Sequence, residues 1–268
     1  MPKYALVVEY IGTNYAGSQI QPDQITIQSE LEKALSTLIR GGDLSDDKHQ
    51  TKPRIKTIFS GRTDAGVHSK GQVVHFESSK PIVASKFLNS MNGLLPNDIS
   101  VKSIQEVGSK FHAQISAKYR VYKYKIVNRN QRSVWDNHSL LVREILDVER
   151  MNKSLSYLIG VHDFTSFKSM KATTPAKDCI VYKAQCTKSG DIITFEIVAN
   201  RFVYNMVRTI VGTLLMIEHN GFEPEFMKVV LEAKDRTKAG PTISPDGLTL
   251  EEVGYSDYLE KESLNLNK

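Results

Sequence analysis

The stretch at residues 60–69, Ser-Gly-Arg-Thr-Asp-Ala-Gly-Val-His-Ser, constrains the fold more than any other part of the chain. An apolar run, residues 55–59, precedes it, and an alternating run, residues 72–77, follows it. Two strand-like runs joined by a short segment with two glycines indicate a tight turn at the rim of a sheet. Glycine there lets a bulky substrate approach the backbone. The pattern therefore predicts a rigidly held, reactive carboxylate, that of Asp64.

Hydrophobic periodicity elsewhere predicts an α+β fold built from two similar α/β halves, with mainly antiparallel sheets and flanking helices. We place the halves at residues 1–112, which carry the Asp64 turn, and at residues 113–268. The predicted strands are residues 4–10, 55–59, 73–76, 99–107, 118–127, 180–188 and 192–198. The predicted helices are residues 27–40, capped by Thr26, and residues 84–94, 148–159 and 202–219. The second half thus repeats the element order of the first.

Charge and cysteine content narrow the class of protein. The formal net charge of +5 suits a polyanionic partner but does not establish one. Cys179 and Cys186 lack the spacing of a metal site, so we predict reduced thiols in the core. No leader and no long apolar run are apparent, and we therefore expect a cytoplasmic protein with no membrane segment. Residues 43–54 read as a solvated loop, and the tail after residue 258 as polar and frayed.

The chemistry of an aspartate allows either a reacting or a structural role for Asp64. An isolated aspartate has a pKa of about 3.9, so Asp64 is ionised at neutral pH and is available as a nucleophile or an anion. The alternative is that Asp64 only caps the turn. His68 or His75 could join it at a metal, but a further strong ligand at suitable spacing is missing, so we predict no metal. Residues 12–18 lack the lysine of a phosphate-binding loop, and no nucleotide cofactor is implied.

Residues 61–68, Gly-Arg-Thr-Asp-Ala-Gly-Val-His, resemble the signature around the catalytic aspartate of the tRNA pseudouridine synthase A family at all eight positions. Further fragments agree in the same order and span almost the whole chain. They are Gln21-Pro22 with Thr26 and Gln28, Asn92 with Leu95-Pro96 and Asp98-Ile99, Phe111-His112-Ala113, Tyr122-Lys123-Tyr124, His162-Asp163-Phe164 and Asn205-Met206-Val207-Arg208.

The resemblance implies roles for three residues. Asp64 matches the catalytic aspartate, Arg208 the arginine that pairs with it, and Tyr122 the active-site tyrosine. Strand alternation places Arg120, Tyr122 and Tyr124 on one face, where rings could stack on a base beside a cation, although ordinary strand packing explains them equally well. Arg208 falls at the border of a helical apolar stripe, so either a solvent position or the edge of a cleft fits it.

The resemblance also implies the substrate. Family members convert uridine to pseudouridine in the anticodon stem-loop of tRNA, at positions 38 to 40, without a cofactor, and act as homodimers with an RNA-binding cleft between the two halves. Arg62 matches the residue thought to displace the target base. We add Thr63, Lys118 and Lys123 as substrate contacts, and we expect no DNA partner. His162 also matches the family, but holding a loop in place explains it as readily.

Two other functions remain open. One is a tRNA-binding or chaperone protein that performs no reaction, and the other is a base-excising glycosidase, which would need a second carboxylate as acid. The chain also departs from the family pattern. Ile11 replaces an acidic residue, Ser18 an aromatic residue and Gln114 an arginine, and the loop at residues 43–54 is longer than usual. We expect these departures to affect substrate affinity and site choice before catalysis.

Overall fold

The computed structural model describes residues 1–40, 54–170 and 177–259. The predicted loop at residues 43–54, apart from Arg54, and the tail beyond residue 259 lie outside these ranges. The strands are β1 (Lys3–Tyr10), β2 (Ile58–Phe59), β3 (His68–Glu77), β4 (Ile99–Val107), β5 (Tyr119–Asn128), β6 (Leu140–Val142), β7 (Gly160–Asp163), β8 (Asp178–Ser189), β9 (Ile192–Ala199) and β10 (Leu248–Gly254). The helices are α1 (Ile27–Arg40), α2 (Ala84–Leu94), α3 (Val148–Ser156), α4 (Met206–Asn220) and α5 (Phe226–Ala233).

The chain forms two compact units. The first comprises Met1–Ala117 and Leu250–Tyr255, and the second comprises Lys118–Thr249 and Ser256–Lys268. Strands and helices occur in both, which confirms the predicted α+β class. β1 pairs antiparallel with β3 and β4, β2 with β3, β9 with β5 and β8, and β7 with β8, whereas β5 and β6 are parallel. The boundary between residues 112 and 113 and the RNA-binding cleft stay predictions.

The first unit is a sheet with helices on one face. β1 lies between β4 and β3, and β2 pairs with β3. Every second residue of β1 is buried, as period-two alternation requires, and these side chains form one core with apolar residues of α1 and α2. Thr26 caps α1 as predicted, because its Oγ1 accepts the Ser29 N–H at 3.1 Å while Ser29 Oγ accepts the Thr26 N–H at 3.0 Å.

The second unit has the strand order β5, β9, β8, β7, with β6 parallel to the end of β5. α3 packs on β8, and α3, α4 and α5 contact one another. Both cysteines are free and buried here, which confirms that prediction. Burial raises the pKa of the Cys179 thiol to about 11 and that of Cys186 to about 12, so both stay protonated at neutral pH.

Helix bounds differ from prediction where the backbone turns left-handed. α4 begins at Met206 rather than residue 202, because Asn205 has a φ of 65° and cannot belong to the helix. It ends at Asn220 because Gly221, with a φ of 64°, forms the cap. α3 ends at Ser156, three residues before the predicted end. The sequence patterns did not predict β6, β7, α5 or β10, which are short elements that depend on tertiary partners.

Candidate active site

Asp64 occupies the first position of a tight turn between β2 and β3, as predicted. Its carbonyl accepts the Val67 N–H at 3.1 Å. Gly66, with a φ of 79°, supplies the left-handed residue that such a turn needs at its third position. The Gly66 N–H also donates to the Tyr15 carbonyl at 3.4 Å. Asp64 is half-buried, so the turn holds its backbone while the residue keeps some solvent exposure.

The residue before Asp64 is clamped by a serine from another loop. The Ser18 Oγ accepts the Thr63 N–H at 2.8 Å, and the Ser18 N–H donates to the Thr63 carbonyl at 3.1 Å. Both residues are buried. Gly17, with a φ of 112°, permits the approach, since a side chain there would lie 2.9 Å from the Thr63 carbonyl oxygen. The clamp fixes the backbone on which Asp64 is carried.

A buried polar network supports the same loop from below. Thr63 Oγ1 and the Tyr10 hydroxyl lie 2.8 Å apart. Gln72 Nε2 donates to the Gly61 carbonyl at 3.0 Å, and its Oε1 accepts the Ser60 hydroxyl at 2.6 Å. Burial raises the pKa of Tyr10, so its phenol stays neutral and serves as a structural hydrogen-bonding group. Satisfied buried networks of this kind rigidify the backbone around them.

The two histidines near the turn each accept a backbone hydrogen bond. His68 Nδ1 accepts the Gly12 N–H at 3.0 Å, and His75 Nδ1 accepts the Ala113 N–H at 3.1 Å. Each ring is thus used to hold two segments together. Within residues 1–40, 54–170 and 177–259, no group of three or more His, Cys, Asp or Glu side chains is arranged to hold a metal ion.

Arg62 and Thr63, two predicted substrate contacts, differ in their surroundings. Thr63 is only 3% exposed and its hydroxyl lies beside that of Tyr10, so its side chain supports the loop. Arg62 is exposed, and no carboxylate of the described residues pairs with it. Its position two residues before Asp64 leaves a guanidinium at the surface of the same loop. Arg62, Thr63 and Asp64 all lie in the first unit.

Arg208 lies in the second unit, on the first turn of α4, where it is half-buried. Its Nε donates to the Ile243 carbonyl at 2.7 Å, and its Nη1 donates to Asn205 Oδ1 at 3.4 Å. The side chain is therefore held in a fixed direction. This decides against the reading in which Arg208 simply extends into solvent. Asn205, whose left-handed backbone starts the helix, thus also orients the guanidinium.

The segment that carries the Ile243 carbonyl is pressed against α4 at two glycines. Any side chain at Gly212 would overlap the Pro241 carbonyl, and any at Gly240 would overlap the Gly212 carbonyl. The Gly240 N–H donates to Thr213 Oγ1 at 2.9 Å, which fastens the contact. This close packing sets where the acceptor for Arg208 lies.

The tyrosines of β5 are largely buried. Tyr122 is 9% exposed, and its ring packs edge-on against Phe202 with 4.9 Å between ring centroids. Tyr124 is fully buried, and its hydroxyl donates to the Ser244 carbonyl at 2.7 Å. Burial raises the pKa of Tyr124, and the positive charge of Arg208 opposes that shift. Tyr124 therefore supports the strand and offers no free face for a base.

The cations of β5 are engaged with protein groups. Arg120 Nη1 donates to the Asn200 carbonyl at 2.7 Å. Lys123 lies 3.3 Å from Glu196, which also holds Lys183 at 2.8 Å. Successive residues of a strand point to opposite faces, so Lys123 and Tyr122 face away from each other. Lys118, at the start of the second unit, is exposed.

Sequence patterns missed the residues that hold the site. Tyr10 and Gln72 showed no catalytic pattern, Ser18 stood out only as a departure from the family, and Asn205 appeared only as a member of the fragment that carries Arg208. The first three contact the Asp64 loop from positions distant in sequence, whereas Asn205 orients Arg208 through its side-chain oxygen and its left-handed backbone. The one available signal was polarity at positions where a strand or a buried loop would carry an apolar residue. His162 is explained structurally, since its Nε2 lies 2.8 Å from the Ile159 carbonyl.

A profile of the tRNA pseudouridine synthase family matches residues 6–115 and 155–256. The chain is 39% identical over 255 residues to tRNA pseudouridine synthase A of Exiguobacterium sp., covering 95% of this chain and 98% of the relative. It is 37% identical over 267 residues to tRNA pseudouridine synthase A of Francisella tularensis subsp. holarctica, covering 98% of both chains. A third relative of the same name, from Geobacillus kaustophilus, is 39% identical over 259 residues.

One solved structure, titled "Crystal Structure of a Cbf5-Nop10-Gar1 Complex", is similar at a TM-score of 0.34 and 9% identity, over 79% of this chain and 53% of that chain. A likeness of that size is too weak to define a fold. In the part of the chain that the structure describes, none of the helices has the length and apolar character needed to span a bilayer.

Proposed function

Because this chain belongs to the tRNA pseudouridine synthase family, whose members are isomerases acting on tRNA uridine, we propose that it converts uridine to pseudouridine at positions 38 to 40 of the anticodon stem-loop. The observation that carries this proposal is the coincidence of two facts. The match to synthases A covers nearly the whole chain, and the aspartate of the signature lies on a turn that is clamped on both sides.

We assign Asp64 as the reacting group. In the isomerisation the C1′–N1 bond breaks, the uracil turns and a C1′–C5 bond forms, while C5 loses a proton and N1 gains one, so nothing is consumed. A carboxylate suits this chemistry because it can bond covalently to the sugar or the ring, or stabilise positive charge at C1′, and then depart. A rigid turn favours either route, since catalysis depends on holding the attacking atom at a fixed distance.

We assign Arg208 as the partner of the Asp64 carboxylate and Tyr122 as a substrate contact. The hydrogen bonds from Arg208 to Ile243 and Asn205 support this, because they hold the guanidinium in a fixed orientation, which pairing between a planar guanidinium and a carboxylate requires. A neighbouring arginine keeps an aspartate ionised. For Tyr122, packing against Phe202 fixes the ring plane that would meet the uracil.

Extraction of the target uridine from its base stack requires further contacts with the protein. Pulling a nucleotide from its stack costs a few kcal/mol, and one stacked ring returns about 1–3 kcal/mol. We propose that Arg62 helps to displace the base and that Lys118 contacts phosphate, since both are exposed. Thr63 and Lys123 stay predictions as substrate contacts. Because Lys123 is paired with Glu196, we expect it to contribute less to phosphate binding than Lys118 does.

The assembly and location are further proposals. A homodimer would double the net charge of +5 and strengthen attraction to RNA. Light scattering of the purified chain tests it, with a monomer mass at micromolar concentration as the contrary result. We also expect activity in the cytoplasm, where tRNA is the available substrate.

The decisive experiment compares wild type, Asp64→Asn and Asp23→Asn on unmodified tRNA. Pseudouridine is mapped with a chemical adduct that stops reverse transcription. We expect product at positions 38 to 40 with wild type and with Asp23→Asn, an exposed aspartate in the same unit. Asp64→Asn should lose at least about 1,000-fold in rate, since an amide cannot replace a carboxylate nucleophile. Thermal melting shows that both variants fold.

Three results would contradict the assignment. Full activity of Asp64→Asn would remove the carboxylate from the reaction. Free uracil among the products would identify a glycosidase instead. RNA binding with no product from wild type would favour the non-catalytic tRNA-binding protein.

A further inference from the structure

A small pocket opens beside the Asp64 loop, wholly within the first unit. Its volume is about 180 Å³. The lining includes Ser18, Gln19, Ile58, Phe59, Arg62 and Gln114. Pockets for drug-sized ligands typically measure about 300–1,000 Å³, so this one has room for a single aromatic ring system and not for a whole nucleotide.

Two residues of the lining are departures from the family pattern. Ser18 and Gln114 are two of the positions at which the chain departs from the family pattern, and both line the pocket. Serine stands where an aromatic side chain is usual, and glutamine where arginine is usual. In each case the side chain present is smaller than the usual one.

The floor of the pocket is rigid and its polar groups are already bonded. Glu32, only 4% exposed, accepts the Thr57 N–H at 2.8 Å and the Thr57 hydroxyl at 3.0 Å through Oε1. Gln28 Nε2 donates to that same oxygen and to the Thr57 carbonyl, both at 3.0 Å, and Gln28 Oε1 accepts the Ile20 N–H at 3.1 Å. This network shapes the cavity before any ligand enters.

The rim and walls carry groups that recognise a nucleobase. Gln19 is an exposed carboxamide in the lining, and amides match the donor and acceptor edges of bases. Phe59 supplies an aromatic wall, and Arg62 a planar cation that can cover a ring. We propose that this pocket binds one unpaired nucleobase of the RNA substrate, close to the uridine that is isomerised. The identity of the ligand as RNA rests on the proposed function.

Charge and position favour a base over a phosphate group and place it near the target. One cation lines the pocket, beside an aromatic ring and the half-exposed Ile58, whereas phosphate sites gather several charged or backbone donors. Arg62 precedes Asp64 by two residues, which span at most about 7 Å of extended chain. A nucleotide whose ring reaches Asp64 therefore brings a neighbour in the strand within reach of the pocket.

The test uses the full chain and a stem-loop RNA of the anticodon arm. Each unpaired nucleotide in turn is replaced by an abasic one, and dissociation constants are measured by fluorescence anisotropy. Gln114→Trp fills the mouth of the pocket from an exposed position, and Ile115→Trp, next to it and outside the lining, is the matched control. Thermal melting establishes that both variants are folded.

We expect one abasic position to weaken binding by about 5-fold or more in wild type and in Ile115→Trp. For Gln114→Trp, the dissociation constants of this abasic RNA and of the intact RNA should agree within about 2-fold, because the base no longer enters the pocket. The proposal is overturned if no position reaches 5-fold, or if Gln114→Trp keeps the wild-type penalty.

Pseudouridine formation is assayed in parallel on the intact RNA. If the wild-type protein formed no pseudouridine, the proposed function would be refuted. The affinity comparison does not need turnover and decides the pocket separately.

Discussion

The clamp on Thr63 gives a quantitative prediction for Ser18→Ala. Ser18 is fully buried, and its Oγ is the acceptor for the Thr63 N–H at 2.8 Å. Alanine leaves that N–H buried without its acceptor, which costs about 1–3 kcal/mol in the free energy of unfolding. The second bond of the clamp, from the Ser18 N–H to the Thr63 carbonyl, involves only backbone and survives. The variant should therefore fold but hold the loop less firmly.

The same change should lower kcat by about 10-fold or more, because a small displacement of a reacting group is costly. KM should change less, since Ser18 is buried beneath the loop and most of the RNA surface is unaltered. Urea unfolding gives the free energy of unfolding, and single-turnover pseudouridine formation gives the rate.

Ser154→Ala is the matched control. Ser154 is also fully buried, but its Oγ donates to the Arg150 carbonyl at 3.4 Å within a helix, where that carbonyl can already accept a backbone N–H. We expect its unfolding free energy to stay within about 0.5 kcal/mol of wild type and its rate to be unchanged. If Ser18→Ala matched Ser154→Ala in both measurements, the clamp would not stabilise the loop or support catalysis.

Two further predictions follow from close packing and burial. Gly212→Ala should reduce kcat and the melting temperature together, because the new methyl overlaps the Pro241 carbonyl and displaces the acceptor of Arg208; wild-type values for both would refute this. Burial, helped by nearby positive charge, lowers the pKa of His75 from 6.5 to about 4, so stability should fall as pH drops from about 6.5 to 4, by up to about 1.4 kcal/mol per unit. His75→Gln, whose amide can still accept the Ala113 N–H, should flatten this slope in urea titrations, and an unchanged slope would contradict it.

Much of the fold follows from local patterns. The bounds of α2 and β4 agree with prediction because clear periodicity and the stop at Pro96 act on neighbouring residues. α4 starts late because one backbone conformation, at Asn205, is set by tertiary surroundings. β7 is four residues long, too short for periodicity to reveal, and exists because β8 offers it a partner.

The candidate site, like the fold, was predicted from the sequence only in part. The signature at residues 61–68 identified the Asp64 turn, since glycine and aspartate have local conformational preferences that sequence expresses directly. It did not reveal that Lys123 would be paired with Glu196 or that Tyr124 would be sealed in the core. Strand alternation indicates which residues share a face but not which face is covered.

Sequence alone determined the family, the α+β class and the residue that we propose reacts, because each is carried by a contiguous motif or a short period. Only tertiary structure decided what holds that residue. Ser18 and Thr63 are 45 positions apart, Tyr10 and Thr63 are 53 apart, and Arg208 and Ile243 are 35 apart. The same holds for the pocket beside the loop, whose walls come from segments that only the folded chain brings together. Hydrogen bonds across such separations depend on how the whole chain packs, and no local pattern encodes them.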